Sequence, residues 1–270
     1  MTWQCEGRIN AETRKDALGE PREQALILDT NAPARFPPVV TPGQVATLVN
    51  AVGVAAVPGV LTACEVEFLI TALGEVTGAG VRGVLRIPAF AELATSPRLL
   101  DLARPLLPEE PRPVRAIYFD KSLTSNWLVP WHQDLTLAVR ERADLAGFGP
   151  WSVKDGVPHV QAPASLLEKM ITIRLHLDPC DEYNGALKVL TGSHKFGIVP
   201  ADRIKGFAME SPELVCRVGS GWALVMRPLL LHSSSRSSSD GHRRVLHIEY
   251  AGFDLPQPLQ WLEPRPPTIP

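Results

Sequence analysis

Four residues of this chain could do chemistry together. His132 and Asp134 flank one residue in PWHQDLTLAV (residues 130–139), His232 follows a hundred positions after His132, and Arg243 opens RRVLHIEYAG (residues 243–252). Two imidazoles and one carboxylate form a facial triad, the ligand set that holds non-haem Fe(II) and leaves coordination positions open. An arginine just past the distal histidine suits a carboxylate-bearing cosubstrate, because its planar guanidinium grips a carboxylate with two hydrogen bonds. Together the four residues point to an oxygenase that uses iron and 2-oxoglutarate. A bare HxD carries little by itself, since it also describes a surface histidine beside a solvated carboxylate. The elements around it must therefore supply the rest.

PWHQDLTLAV reads as one strand, and a spacing of two then puts His132 and Asp134 on the same face. WALVM (residues 222–226) is a short apolar strand bounded by Gly219-Ser220-Gly221 and Pro228. A polar Ser-rich loop closing on Asp240-Gly241 leads back into the RRVLHIEYAG strand. The expectation is a hairpin that brings His232 and Arg243 together in space. The bland alternative for Arg243 is a surface arginine in a basic turn with Arg236 and Arg244.

With these pieces in place the chain resembles the phytanoyl-CoA dioxygenase family of Fe(II)/2-oxoglutarate-dependent oxygenases. The shared runs are WHQD, NGALKVLTGSHKFG (residues 184–197) and the His232 segment with Arg243, and together they cover about residues 110–252. Thr191 stands where the family commonly has proline. The resemblance implies an α+β, mainly β fold: a double-stranded β-helix (jelly-roll, cupin-like) core with flanking N-terminal helices. It implies metal ligation by His132, Asp134 and His232, and cosubstrate binding by Arg243, Ser234 and Lys121. Arg174 falls where the family often has a tryptophan that contacts the cosubstrate, which points away from a fatty acyl-CoA substrate. The implied cofactors are Fe(II), 2-oxoglutarate and O2, with succinate and CO2 released as a C–H bond of a small polar substrate is hydroxylated. Halogenating relatives replace the metal-binding carboxylate with a small residue, so Asp134 argues against halogenation.

Two strands carry polar faces. In MITIRLHLD (residues 170–178), Thr172, Arg174, His176 and Asp178 share one side; in the Arg243 strand, Val245, His247 and Glu249 follow Arg243. A jelly-roll interior this polar needs a ligand or a closed hydrogen-bonded network. Either Arg174, His176 and His247 line a cavity, or they form a satisfied structural network. Gln133, between the two triad positions, and Trp151 join His176 and His247 as candidate substrate-lining residues.

Residues 1–35 read as an N-terminal extension and 36–270 as a single domain, with a lid-like insertion at about 140–169. Helices are expected near Thr41–Gln44, from Thr62 to about Leu73, and over Ser96–Leu107. At 270 residues and 45% hydrophobic content the chain can bury a sizeable core. Its net charge of −2 argues against an electrostatic nucleic-acid partner. No apolar run is long enough for a membrane helix, and the polar N-terminus is no signal peptide. Cys5, Cys64, Cys180 and Cys216 are scattered, which reads as reduced thiols in a cytoplasmic protein. Two rivals remain open: a zinc metallohydrolase on the same triad, and a cupin-like binding protein with a vestigial metal site.

Overall fold

The structure is a computed structural model that describes residues 40–263 except 75 and 77. The extension expected over residues 1–35 lies outside the described residues. A 3-10 turn at Pro42–Gln44 leads into α1 (Val45–Val52), followed by β1 (Val54–Val57) and α2 (Ala63–Leu73). The sequence placed α2 correctly, and its start shows why. Thr62 Oγ1 accepts from Glu65 N while the Glu65 carboxylate accepts from Thr62 N at 2.8 Å, a reciprocal capping box. β2 (Gly80–Arg82), α3 (Pro88–Ala94) and α4 (Pro97–Ala103) come next. The helix expected over Ser96–Leu107 stops at Ala103, and Arg104–Leu106 tighten into a 3-10 turn. Pro105 lacks the donor that a longer helix needs.

The remaining chain is mostly strand: β3 (Arg112–Lys121), β4 (Val129–His132), β5 (Thr136–Ala138), β6 (Trp151–Lys154) and β7 (Val157–Gln161). After the single turn α5 (Ala164–Leu167) come β8 (Met170–His176) and β9 (Leu187–Leu190). α6 (Ala201–Glu210), β10 (Glu213–Val215), β11 (Ala223–Met226), β12 (His232–Ser234) and β13 (Arg243–Ala251) complete it. All named strand pairs are antiparallel. A six-stranded sheet runs β1-β11-β8-β13-β3-β2, and a four-stranded sheet runs β10-β9-β12-β4. This is the mainly β, double-stranded β-helix architecture expected, with helices beside the large sheet.

Two local expectations change. PWHQDLTLAV is not one strand, because β4 stops at His132 and β5 begins at Thr136. Between them Asp134 N donates to Pro228 O at 3.0 Å, so the main chain bonds to a loop there. His232 and Arg243 do not meet through a hairpin, because β12 lies in the four-stranded sheet and β13 in the six-stranded one. Within the lid-like insertion at 140–169, β6 and β7 pair and join β5 in a third sheet, β5-β7-β6.

Alternation along the central strands separates two environments. Ile171, Ile173 and Leu175 of β8 and Leu246, Ile248 and Tyr250 of β13 pack with Val45, Leu69, Phe90 and Leu99 of the helix layer. Each such buried side chain contributes roughly 2 kcal/mol. The intervening residues face the small sheet, where a second cluster joins Val54, Leu224 and Met226 to Leu187, Val189 and Leu214. No helix among the described residues is long and apolar enough to cross a membrane. Cys180 and Cys216 are free and buried. Cys64 is disulfide-bonded, so the expected set of reduced thiols fails there, and with it that residue's support for a reducing compartment.

Tyr250 ties the large sheet to the helices, with its buried hydroxyl donating to Ala94 O at 2.9 Å. Tyr250→Phe is expected to lower stability by about 1 kcal/mol, read as a lower urea midpoint with unchanged slope.

Candidate active site

Strand register does the first part of the work. β4 and β12 are neighbours, and His132 sits directly opposite His232. Their ring centroids are 4.2 Å apart. Both rings are held the same way: His132 Nδ1 bonds Pro130 O at 2.9 Å, and His232 Nδ1 bonds Leu230 O at 2.8 Å. A carbonyl partner requires Nδ1 to carry the proton, so each Nε2 presents a lone pair. Burial pushes His232 down to about 4, against the pull of Asp134, which keeps the ring in its neutral, ligating form.

Asp134 completes the cluster. Its Oδ1 is 3.9 Å from His132 Nε2, and its Oδ2 is 3.6 Å from His232 Nε2. One ligand atom from each of His132, Asp134 and His232 lies within 4.8 Å of the others. Asp134 Oδ2 is buried and has no hydrogen-bond partner. Burial alone would raise this carboxyl, yet the surrounding His232, His247, His132 and Arg115 hold it well below the usual carboxylate range. An ionised oxygen without a donor, facing two imidazole lone pairs, has the chemistry of a metal ligand set.

Asp134 does not reach this place by strand alternation. Gln133 fixes the turn instead: its Nε2 donates to Gly197 O at 2.8 Å and Leu229 O at 2.6 Å, and its Oε1 accepts from Val199 N at 2.8 Å. Gln133 is therefore a positioning residue and does not line the chamber.

The chamber beside the triad measures about 100 Å³, and its walls include Arg115, Phe119, Trp127, Arg174, Arg243 and His247. Arg243 is buried, has an unpartnered Nε, and forms no ion pair among the described residues. Its strand partner in β3 is Lys121. Lys121 Nζ donates to Ser234 Oγ at 2.8 Å and Ser235 O at 2.5 Å. Burial, then the nearby Arg243 and Arg174, push Lys121 down to about 7. Ser234 Oγ donates onward to Gly185 O at 2.8 Å, so its single proton is committed and the residue positions Lys121. This corner gathers cations without a carboxylate, an arrangement suited to an incoming anion.

The opposite wall is a chain of alternating charge. Arg174 donates from its NH1 to His247 Nδ1 at 2.9 Å, leaving the His247 proton on Nε2, 3.3 Å from Glu249 Oε1. Glu249 pairs with Arg115, and His247 Nε2 lies 4.0 Å from Asp134 Oδ2. Of the residues expected to line the cavity, Arg174 and His247 do. His176 does not: it is fully buried on the same face of β8, outside the chamber, with both ring nitrogens unpartnered. Trp151 packs in the cluster of Leu137, Val160 and Leu167, under the Arg142 guanidinium at 5.5 Å. The tryptophan in the chamber is Trp127, which stacks on Lys121 at 5.1 Å. Arg115, Phe119 and Trp127 were not anticipated. The period-two pattern Arg115, Ile117, Phe119 in β3 held the signal for two of them.

The fold is shared with solved structures. EctD from S. alaskensis with 2-oxoglutarate and 5-hydroxyectoine superposes with a TM-score of 0.62 at 20% identity, covering 88% of this chain and 83% of that one. HygX from Streptomyces hygroscopicus with nickel and 2-oxoglutarate bound gives 0.56 at 19% identity, covering 78% and 87%. SnoK, a non-heme alpha ketoglutarate dependent carbocyclase from nogalamycin biosynthesis, gives 0.61 at 17%, covering 80% and 85%. At these identities the likeness is one of fold. Among curated proteins nothing matches the sequence. The phytanoyl-CoA dioxygenase family model matches residues 34–245, and the chain belongs to that family of Fe(II)/2-oxoglutarate-dependent oxygenases.

Proposed function

We propose that this chain hydroxylates a C–H bond of a small polar substrate, with Fe(II) held by His132, Asp134 and His232. The observation that carries the reading is the buried, partnerless Asp134 Oδ2 among imidazole nitrogens, in one chamber with the unpaired Arg243. When bound, iron with 2-oxoglutarate and O2 supplies an oxidant able to remove a C–H hydrogen, and succinate and CO2 leave.

The chain's own residues do the positioning. The Pro130 and Leu230 carbonyls hold both imidazoles with Nε2 inward. Arg243 and Lys121 receive the C5 carboxylate of 2-oxoglutarate, a charge-assisted contact in a dry corner. Ser234 fixes Lys121 for that contact. Arg174 locks the His247 tautomer, and the Glu249–Arg115 pair backs His247, so the wall beside Asp134 is fixed before substrate arrives. A zinc hydrolase on the same triad would need no cationic corner opposite the metal.

An anaerobic titration of Fe(II)-loaded protein with 2-oxoglutarate is expected to give a saturable metal-to-ligand charge-transfer band. In Arg243→Ala the half-saturating concentration rises by about a hundredfold, the loss of a bidentate charged contact. An unchanged titration in that variant would remove Arg243 from cosubstrate binding, and no band in metal-loaded wild type would favour the hydrolase. Gln133→Ala leaves three backbone groups without their partner. It is expected to lower stability by about 2 kcal/mol and metal affinity about tenfold, read by urea denaturation and chelator competition.

A further inference from the structure

A second chamber, of about 340 Å³, adjoins the metal chamber, and Arg115 forms a wall of both. It lies between the β2–β3 edge of the large sheet and the β6–β7 hairpin. Arg82, Lys154, His159 and Glu263 line it. The hairpin tip is latched over it, because Arg82 pairs with Asp155 at 2.7 Å beside the turn where Asp155 takes φ +50°.

Three buried polar atoms around this space lack a hydrogen-bond partner: Arg115 Nε, His159 Nε2 and Glu263 Oε1. His159 is 2% exposed, and its Nδ1 bonds Val157 O at 3.0 Å. Its Nε2 is thus an acceptor, on a residue that lines the chamber. Glu263 Oε1 is a second acceptor, 3.6 Å from Arg86 Nε. Lys154 supplies the opposite chemistry. Its Nζ donates to Thr136 Oγ1 at 3.3 Å and forms no ion pair among the described residues. Burial, then Arg115 and Arg82, lower its proton affinity against a smaller opposing pull from Asp134 and Glu249, so cations outweigh carboxylates around it. Unsatisfied donors and acceptors in a roomy cavity call for a ligand that presents both partners.

We propose that this chamber binds the end of the substrate remote from the oxidised carbon, and that this end is a hydroxylated anion. A carboxylate or phosphate meets Lys154 and Arg115, and a neighbouring hydroxyl donates to His159 Nε2. The proposal deepens the oxygenase reading and rests on it for the word substrate. Metal and cosubstrate would fill the smaller metal chamber, which leaves the space beyond Arg115 for the rest of the reactant.

The test is calorimetric titration of the full-length protein, without added iron. The probes are glycerol 3-phosphate and glycerate, with ethyl phosphate and propionate as their hydroxyl-free counterparts. One hydroxylated probe is expected to bind saturably, at least about fivefold tighter than its counterpart, which identifies the anion. Lys154→Met weakens that binding about tenfold or more, and Arg82→Met, which unlatches the hairpin, weakens it too. His159→Phe abolishes the hydroxyl preference while the anion still binds. Binding of neither hydroxylated probe, or binding that Lys154→Met leaves unchanged, overturns the proposal. An unchanged preference in His159→Phe overturns the hydroxyl assignment. The charge-transfer titration reads the metal chamber separately, so loss of that band together with intact probe binding defeats the oxygenase reading alone.

Discussion

A carboxylate oxygen buried without a donor is among the more costly things a protein interior can contain. Here Asp134 Oδ2 is such an atom, and much of the inner structure is arranged around it. His232 Nε2 and His247 Nε2 lie within 4.0 Å of it and His132 Nε2 within 3.9 Å of Oδ1, with the His132 and His232 rings oriented by carbonyls two residues upstream. A dication held here would satisfy this oxygen and both lone pairs at once. Gln133 then explains how the carboxylate is kept where nothing else in the protein bonds it. Its amide uses both ends on backbone groups from two other segments, so the ligand turn is held from behind.

The walls divide by charge. On one side Lys121 and Arg243 are buried side by side with no acidic partner, on adjacent strands of the large sheet. On the other, Arg174, His247, Glu249 and Arg115 alternate and pair, although Arg174 Nε and Arg115 Nε keep no partner among the described residues. The first wall holds cations without a paired carboxylate; the second holds its cations beside one. A dicarboxylate that reached the wrong wall would meet Glu249 and Asp134. The charge asymmetry therefore favours an anion at the first wall over the second.

Much of this was legible in the sequence, for identifiable reasons. His132, Asp134, His232 and Arg243 were visible because few other combinations of residue type serve the same chemistry. Arg174 and His247 were visible because period-two alternation survives in long, regular strands such as β8 and β13. The same rule did not place Asp134, since alternation says nothing about where a strand stops, and β4 ends at His132. It failed at His176, because sharing a face with Arg174 does not place a residue within the same void. Trp151 and Trp127 were exchanged because composition identifies an aromatic residue near a loop but not which loop closes over the chamber. The Arg115–Glu249 pair joins strands distant in sequence, and only the register of β3 against β13 reveals it.

Ile173 and Arg174 are adjacent in the chain, yet one packs against helices and the other faces the metal chamber. The apolar set that holds the domain together and the polar set that does chemistry thus occupy opposite sides of the same strands. Inner-face positions can change without disturbing the apolar contacts to the helix layer, provided that buried charges change together with their partners. Such a division makes the scaffold evolvable: new specificities can be tried one inner residue at a time while the fold tolerates the trial. That a carbocyclase and this chain share one architecture is consistent with that separation.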